Sequence, residues 1–285
     1  MPRAIVTRPA KEARAWVADL RALGVDALAL PLITIGPVAD PAPLADAWRR
    51  LARSGADGDA AYDALMFVSG NAVSHFFAQR PAGVAHGFAE AGSALRAWVT
   101  GPASQSALQA CGVAAAAIDA PAMEGAQFDS EALWRVVRPR VVPGYRVLIV
   151  RGNAPGTTDA VSAARAASTD TAAQGVGRDW FAQQVQAAGG VVDYVVAYER
   201  RAPVWDAAQR ALMAQAARDG SVWIFSSAEA VGYLLASAPQ QAWAQARAVA
   251  THTRIAQAVR QAGFGTVWES RPLLAEVVAS IESRL

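Results

Sequence analysis

The sequence predicts an α/β protein built of two similar lobes, each organised around a parallel sheet. The segment Phe67–Val73 returns in altered form as Phe225–Val231. Runs typical of strands alternate with runs typical of helices, which favours parallel sheets. The chain has 285 residues, more than one hydrophobic core usually organises. Each copy of the repeat is typical of a strand that ends in small hydroxyl residues, with a helix that begins directly after them. At such a turn the backbone N–H groups of the helix are able to bind an anion. Two such anion-binding turns, one in each copy of the repeat, predict a ligand-binding cleft.

The first elements of the chain are a strand, a helix and a second strand. We predict a strand at Ala4–Thr7, followed by a helix from about Pro9 to Leu23. Proline in the first turn and Gly24 after the last turn are typical of helix ends. The second predicted strand is the β-rich run Ala27–Ile35.

The rest of the chain continues the alternation. The further predicted strands are Leu65–Val68, Trp98–Thr100, Val147–Val150, Val191–Arg200, Val222–Phe225, Ala248–Ala250 and Thr266–Trp268. One helix begins near Asn71, one ends at Gly112, and one runs from Asp179 to about Ala188, with others between and after the last strands.

The repeat extends beyond its seven-residue motif. Gly101–Ser104 corresponds to His252–Ile255, and each leads into a helix of the same length. Two further segments share a pattern, Gly24–Pro37 and Gly190–Pro203. Each consists of a glycine, a β-rich run and a terminating proline, so we expect these two runs to cross between the lobes.

Residues 153–176 are rich in Ala, Thr, Ser and Gly and show no sustained helical or strand periodicity, which predicts a mobile loop.

Composition narrows the function classes. No apolar run reaches the length that spans a bilayer, and the N-terminus lacks the pattern of a secretory signal, so we expect a cytoplasmic protein. The single cysteine, Cys111, allows no internal disulfide. His75, His86 and His252 lie far apart, which argues against a metal site. The net charge is only +2 and the arginines are spread along the chain, which argues against a nucleic-acid surface.

Several short motifs occur in a defined order. They are Val6–Pro9, Phe67–Val73, Gly101–Ser104, Arg151–Gly152, Gly177–Trp180, Val196–Arg200 and Phe225–Ser227. In order and spacing they resemble the uroporphyrinogen-III synthase family, the cyclase of tetrapyrrole biosynthesis. The resemblance implies two flavodoxin-like α/β lobes joined by a two-stranded linker, with one domain of residues 1–34 and 201–285 and another of 35–200. The flexible insertion at about 153–176 departs from the usual family pattern.

The resemblance also implies an activity, that of a lyase in heme biosynthesis. Members of the family dehydrate hydroxymethylbilane, a linear tetrapyrrole with acetate and propionate arms, and close it with the last ring inverted through a spiro intermediate. No cofactor and no metal take part. We therefore expect a small-molecule tetrapyrrole substrate, no nucleic-acid or membrane partner, a monomer, and transient contact with the preceding enzyme of the pathway.

The candidate catalytic residue is Tyr198, which matches the tyrosine of the family at the crossing strand. Its phenol is able to hydrogen-bond the departing hydroxyl, and simple packing on an interdomain strand is the alternative. The candidate substrate-binding residues are Thr7, Arg8, Ser69, Asn71, Ser104, Arg151, Ser226, Ser227, Thr251 and Thr253. For the hydroxyl residues helix capping is the alternative, and Ser226 with Glu229 has the pattern of a capping box.

The turn His252–Ile255 departs from the family pattern, in which Gly-Pro precedes two hydroxyl residues. Here Arg254 and Ile255 replace the hydroxyl pair, and we expect His252 to be neutral at the start of a helix. Two other functions stay open. One is a non-catalytic sensor that binds an anionic tetrapyrrole. The other is a nucleotide- or sugar-phosphate-binding enzyme that uses Arg151–Gly156.

Overall fold

The computed structural model describes residues 2–53, 61–84, 87–88, 95–122, 129–153 and 176–283. The chain divides into a first unit, Met1–Ile35 with Arg201–Leu285, and a second unit, Gly36–Arg200. The loop expected at 153–176 lies outside the described residues except for its two end positions. No helix in the described ranges is long and apolar enough to cross a membrane.

Strands and helices alternate along most of the described chain. The strands are β1 (Ala4–Val6), β2 (Ala27–Ala29), β3 (Thr34–Pro37), β4 (Ala64–Phe67), β5 (Arg96–Val99), β6 (Ile118–Asp119), β7 (Arg146–Asn153), β8 (Val191–Arg201), β9 (Val222–Phe225), β10 (Arg247–Ala250) and β11 (Thr266–Glu269). The helices are α1 (Ala10–Ala22), α2 (Ala42–Arg53), α3 (Gly70–Ala78), α4 (Pro102–Ala110), α5 (Ser130–Val137), α6 (Val176–Ala187), α7 (Ala207–Ala216), α8 (Ala228–Ser237), α9 (Thr253–Gln261) and α10 (Leu274–Glu282).

The first unit is a parallel sheet covered on both faces. Its strand order is β11-β10-β9-β1-β2, and all four strand pairs are parallel. Ile5 packs with Leu234 of α8 and Val259 of α9, whereas Val6 packs on the other face with Leu20 of α1. Because successive residues of a strand point to opposite faces, a sheet between two helix layers needs apolar residues at every position.

The second unit holds a six-stranded sheet in the order β3-β8-β7-β4-β5-β6. The pairs from β8 to β6 are parallel. On one face Met66 and Trp98 pack with Phe181 of α6. Elsewhere in the unit Trp48 of α2 stacks on Phe76 of α3 with ring centroids 4.5 Å apart. The mixed α/β architecture with two predominantly parallel sheets confirms the predicted fold class.

The predicted second strand is wrong as a single element. Residues 27–29 form β2 in the first sheet, and residues 34–37 form β3 in the second. Between them, the N–H groups of Leu30 and Leu32 still donate to the carbonyls of Val6 and Thr7, but Pro31 has no N–H to donate. β3 and β8 are hydrogen-bonded neighbours, and the boundary between the units falls within each of them.

Candidate functional site

Three loops lie side by side at the carboxyl edge of the first sheet. β1, β9 and β10 are neighbours, and the loops that follow them begin at Thr7, Ser226 and Thr251. Parallel strands present their carboxyl ends at one edge, which is where open α/β sheets bind ligands. The fold therefore brings the candidate residues of the first unit to one edge of the sheet.

Thr7 connects two strands of this edge. Its side chain is 1% exposed, and its hydroxyl donates to the carbonyl of Ile224 in β9 over 2.7 Å. The N-cap of α1 is Pro9, so the alternative role of Thr7 as the cap of this helix is wrong. A hydroxyl that donates within the sheet stabilises the edge.

Arg8 carries a largely buried positive charge. Its guanidinium lies 4.1 Å from the ring centroid of Trp16, and Nη1 lies 3.6 Å from a carboxylate oxygen of Glu12. Burial lowers the pKa of Arg8, although an arginine stays protonated at neutral pH. Nε is buried and has no hydrogen-bond partner among the described residues. One donor of a charged group thus remains for another acceptor.

The two serines after β9 do not form the expected capping box. Ser227 is the N-cap of α8, and in the described structure its side chain makes no capping hydrogen bond. Glu229 instead accepts a hydrogen bond from the phenol of Tyr233 over 3.0 Å. The prediction of a box between Ser226 and Glu229 is therefore wrong, and the hydroxyl of Ser227 is not used to cap its helix.

The loop after β10 uses an imidazole as its cap. Nδ1 of His252 accepts the backbone N–H of Arg254 over 3.1 Å, so the imidazole serves as the N-cap of α9. Thr251 is 7% exposed, and its N–H donates to the carbonyl of Phe225. Hydrogen bonds from Thr253 and Arg260 lower the pKa of the Glu269 carboxyl. The hydroxyl of Thr253 is thus engaged within the unit.

The second unit buries Tyr198 against a glycine. β7 and β8 shift in register, so that Arg151 lies opposite Val196 while Gly152 lies opposite Tyr198, with Ala197 as the extra residue. The side chain of Tyr198 is 5% exposed. A Cβ on Gly152 would lie 2.6 Å from Cε1 of the ring and closer still to Cζ. Only glycine at position 152 leaves space for the phenol.

The hydroxyl of Tyr198 meets the start of α3. Its oxygen lies 3.2 Å from Oγ of Ser69, and that Oγ also accepts the N–H of Ala72 over 3.1 Å. Ser69 thus caps α3, which was the alternative to its predicted role in substrate binding. Beyond this cap the hydroxyl of Ser69 keeps its proton and a second lone pair, so either oxygen is able to donate in the contact with Tyr198.

His75 is a neighbour of Tyr198 that the sequence did not reveal. The two ring centroids lie 5.7 Å apart with planes tilted by 31°. Burial lowers the pKa of His75, which favours the neutral imidazole. His75 follows Asn71 by four residues on α3, and this spacing places both on one helix face. That spacing gives the helix face of His75 but not its contact with Tyr198.

The remaining candidates of the second unit lie at the carboxyl ends of β4, β5 and β7. Asn71 is in the first turn of α3, and Ser104, 6% exposed, is in the first turn of α4. The guanidinium of Arg151 in β7 lies 4.6 Å from the ring centroid of Tyr194. Because β7, β4 and β5 are neighbours, these residues share one sheet edge with Ser69.

A pocket of about 220 Å³ lies elsewhere in the second unit and contains none of the candidates. Its lining includes Asp46, Arg50, Tyr62 and Asp193. The phenol of Tyr62 donates to Asp193 over 3.0 Å, and burial raises the pKa of Tyr62. These polar groups pair with one another near the amino ends of the strands.

Comparison with known families identifies the chain. The family model described as uroporphyrinogen-III synthase HemD matches residues 14–173, more than half of the sequence. The chain belongs to this family. No curated protein sequence matches it significantly.

Two solved structures show that the chain has the fold of this family. A mutant uroporphyrinogen III synthase from the extremely thermophilic bacterium Thermus thermophilus is similar with a TM-score of 0.52 and 16% identity, over 99% of this chain and 98% of that chain. Uroporphyrinogen-III synthetase from Helicobacter pylori is similar with a TM-score of 0.53 and 13% identity, over 100% of both chains.

Proposed function

We propose that the protein is a uroporphyrinogen-III synthase, a lyase that dehydrates and cyclises hydroxymethylbilane to uroporphyrinogen III. The observation that carries this function is the family match over residues 14–173. The buried Tyr198 at the carboxyl edge of the second sheet supports it, because its hydroxyl is held by Ser69 where a ligand binds in such sheets.

The reaction needs control of trajectory more than strong acid–base groups. Loss of the substrate hydroxyl, as water, leaves an azafulvene cation. Attack by the substituted carbon of the last ring gives a spiro intermediate, which fragments and recloses with that ring inverted. Because the linear substrate also closes spontaneously to the non-inverted isomer, the protein acts by holding the reacting ends in one geometry.

Tyr198 is assigned to the departure of the hydroxyl. In the proposed arrangement Ser69 donates to the phenol oxygen, and the phenol donates its own proton toward the leaving oxygen of the substrate. A phenol is a weak acid at neutral pH, so its hydrogen bond stabilises the charge that develops on the leaving oxygen without complete proton transfer. Solvent supplies the proton with which the hydroxyl leaves as water, and the proton that the last ring releases on reclosure returns to solvent. Gly152 and His75 limit where the ring of Tyr198 is able to lie.

The carboxylate arms are assigned to the two sheet edges. Free backbone N–H groups at the first turns of helices bind anions, and arginine adds charge-assisted hydrogen bonds. The assigned binding residues are Arg8, Ser69, Asn71, Ser104, Arg151, Ser226, Ser227 and Thr251. Thr7 and Thr253 are assigned to the support of the edge, because their hydroxyls donate within the first unit.

The remaining features of the proposal follow the family resemblance. Each of the two units is a domain, no cofactor takes part, and the protein works in the cytoplasm as a monomer that receives its unstable substrate from the preceding enzyme.

The decisive experiment is a product analysis. Purified protein is given freshly generated hydroxymethylbilane, the products are oxidised, and the type I and type III uroporphyrin isomers are separated by chromatography. We expect type III to predominate, against type I in a control without protein. Type I at the spontaneous rate from a folded sample would refute catalysis and favour a binding protein.

A further inference from the structure

Two arginines of the first unit each hold a buried nitrogen that donates to nothing. These atoms are Nε of Arg8 and Nη2 of Arg254, and neither has a hydrogen-bond partner among the described residues. Buried polar groups in proteins are nearly always satisfied, and an unsatisfied donor on a charged group is especially costly. Two such donors in one unit point to an anion that both are able to bind.

Both arginines belong to the same edge of the first sheet. Arg8 follows β1 by two residues, and Arg254 follows β10 by four. β9 lies between these strands and pairs with both. Neighbouring strands are about 4.8 Å apart, so β1 and β10 are separated by about 10 Å. Two arginine side chains that start from these strands are able to reach neighbouring carboxylates of one ligand.

Two acidic residues near this edge, Glu12 and Glu269, do not satisfy the two buried donors. Glu12 contacts Nη1 of Arg8, which leaves Nε. Glu269 pairs with Arg260 over 3.2 Å and also accepts from Thr253. Arg254 forms no ion pair within the described part of the chain, and only its backbone N–H is taken, by His252. The positive charge of Arg254 is therefore not neutralised by an ion pair with any described residue.

We propose that Arg254 and Arg8 form a two-guanidinium site that binds carboxylate arms of the substrate at the carboxyl edge of the first sheet. The proposal rests on the proposed function, since hydroxymethylbilane is a polycarboxylate. Guanidinium groups bind carboxylates through charge-assisted and often bidentate hydrogen bonds. The site fixes the ends of flexible arms, so it contributes affinity and orientation and no chemical step.

The test uses Arg254→Gln, with Arg218→Gln as the matched control. Arg218 is also an arginine of the first unit, but it is exposed and precedes β9, at the opposite end of that strand. The first readout is binding of uroporphyrin III, a stable polycarboxylate, followed by fluorescence. We expect Arg254→Gln to weaken binding about tenfold or more and to weaken its salt dependence, because one charge-assisted contact is lost. Arg218→Gln should bind within about twofold of wild type.

A second readout separates binding from a structural role. If Arg254 serves the ligand, Arg254→Gln removes a charged group with one buried, unsatisfied donor, so the melting temperature of the ligand-free protein should stay level or rise. A lower melting temperature with unchanged uroporphyrin binding would overturn the proposal. So would equal losses of binding in Arg254→Gln and Arg218→Gln.

The site and the proposed function fail in distinguishable ways. If wild-type protein forms no type III isomer but Arg254→Gln still weakens uroporphyrin binding, the cyclase function fails and the carboxylate site stands. If wild type forms type III and Arg254→Gln leaves both KM and uroporphyrin binding unchanged, the cyclase function stands and the site fails.

Discussion

Gly152→Ala tests the position of Tyr198 by adding a single methyl group. Non-bonded carbon atoms approach to about 3.5 Å, whereas the new Cβ would lie 2.6 Å from Cε1 of Tyr198 and closer to Cζ. The ring must therefore move by about 0.9 Å or more, the difference between these two distances. A displacement of that size exceeds what the 3.2 Å contact between Tyr198 and Ser69 is able to absorb.

The expected effect is larger on turnover than on folding. Overpacking of this kind costs about 1–3 kcal/mol of stability. A misplacement of about 1 Å in a positioning group costs on the order of a hundredfold in rate. The assay combines single-turnover formation of the type III isomer with urea denaturation, so that the loss of turnover is measured on protein that is still folded.

Gly232→Ala is the matched control for Gly152→Ala. Gly232 lies within α8, and a Cβ built on it meets no atom within 4 Å. Alanine there should raise the free energy of unfolding by about 0.5–1 kcal/mol and leave the isomer ratio unchanged. A fully active Gly152→Ala with wild-type stability would refute the argument that glycine is needed for the position of the phenol.

Three further substitutions test single groups. Tyr198→Phe should lower formation of type III by roughly a hundredfold, since it removes the hydroxyl while keeping the ring. Thr7→Val should lower the free energy of unfolding by about 1–3 kcal/mol in urea melts, because the hydrogen bond to Ile224 is lost, whereas Thr7→Ser should not. His75→Phe should reduce the loss of stability on acidification. The unfolded chain protonates His75 near its ordinary pKa of 6.5 and the folded chain does so only at lower pH, so folding loses stability as pH falls below about 6.5.

For each of these substitutions, one outcome would contradict the prediction. Unchanged rate and isomer ratio in Tyr198→Phe would remove this residue from the mechanism. Equal stability of the valine and serine variants at Thr7 would mean that its hydroxyl contributes nothing to the edge. If wild type and His75→Phe lost the same stability between pH 7.5 and pH 5.5, burial would not shift the pKa of His75.

The strand-to-helix repeats were predictable because their signals are local. β4 and β9 are short, fully buried apolar runs, and each is followed by a serine or glycine turn. α2 was not predicted, although its signal was present. Leu44, Ala47 and Trp48 are buried with helical spacing, while the charged residues Asp46, Arg49 and Arg50 take other positions of the helix.

The failures of prediction have two different causes. The box between Ser226 and Glu229 failed by one residue, since α8 begins at Ala228 and Glu229 is the second helical residue, not the third. The contact of His75 with Tyr198 depends on packing between residues that are distant in sequence, which no local pattern encodes. The register shift that places Tyr198 over Gly152 is likewise a property of two distant strands.

The position of β1 inside its sheet constrains the order in which the chain is able to fold during synthesis. β1 pairs on one side with β2, but its other neighbour, β9, begins at Val222. Until the ribosome has made that strand, β1 keeps an unpaired edge of the kind that recruits foreign strands. The second unit is continuous from Gly36 to Arg200, so it is complete before the first unit is able to close. Premature termination after residue 200 would therefore leave one finished unit attached to an N-terminal segment prone to aggregate.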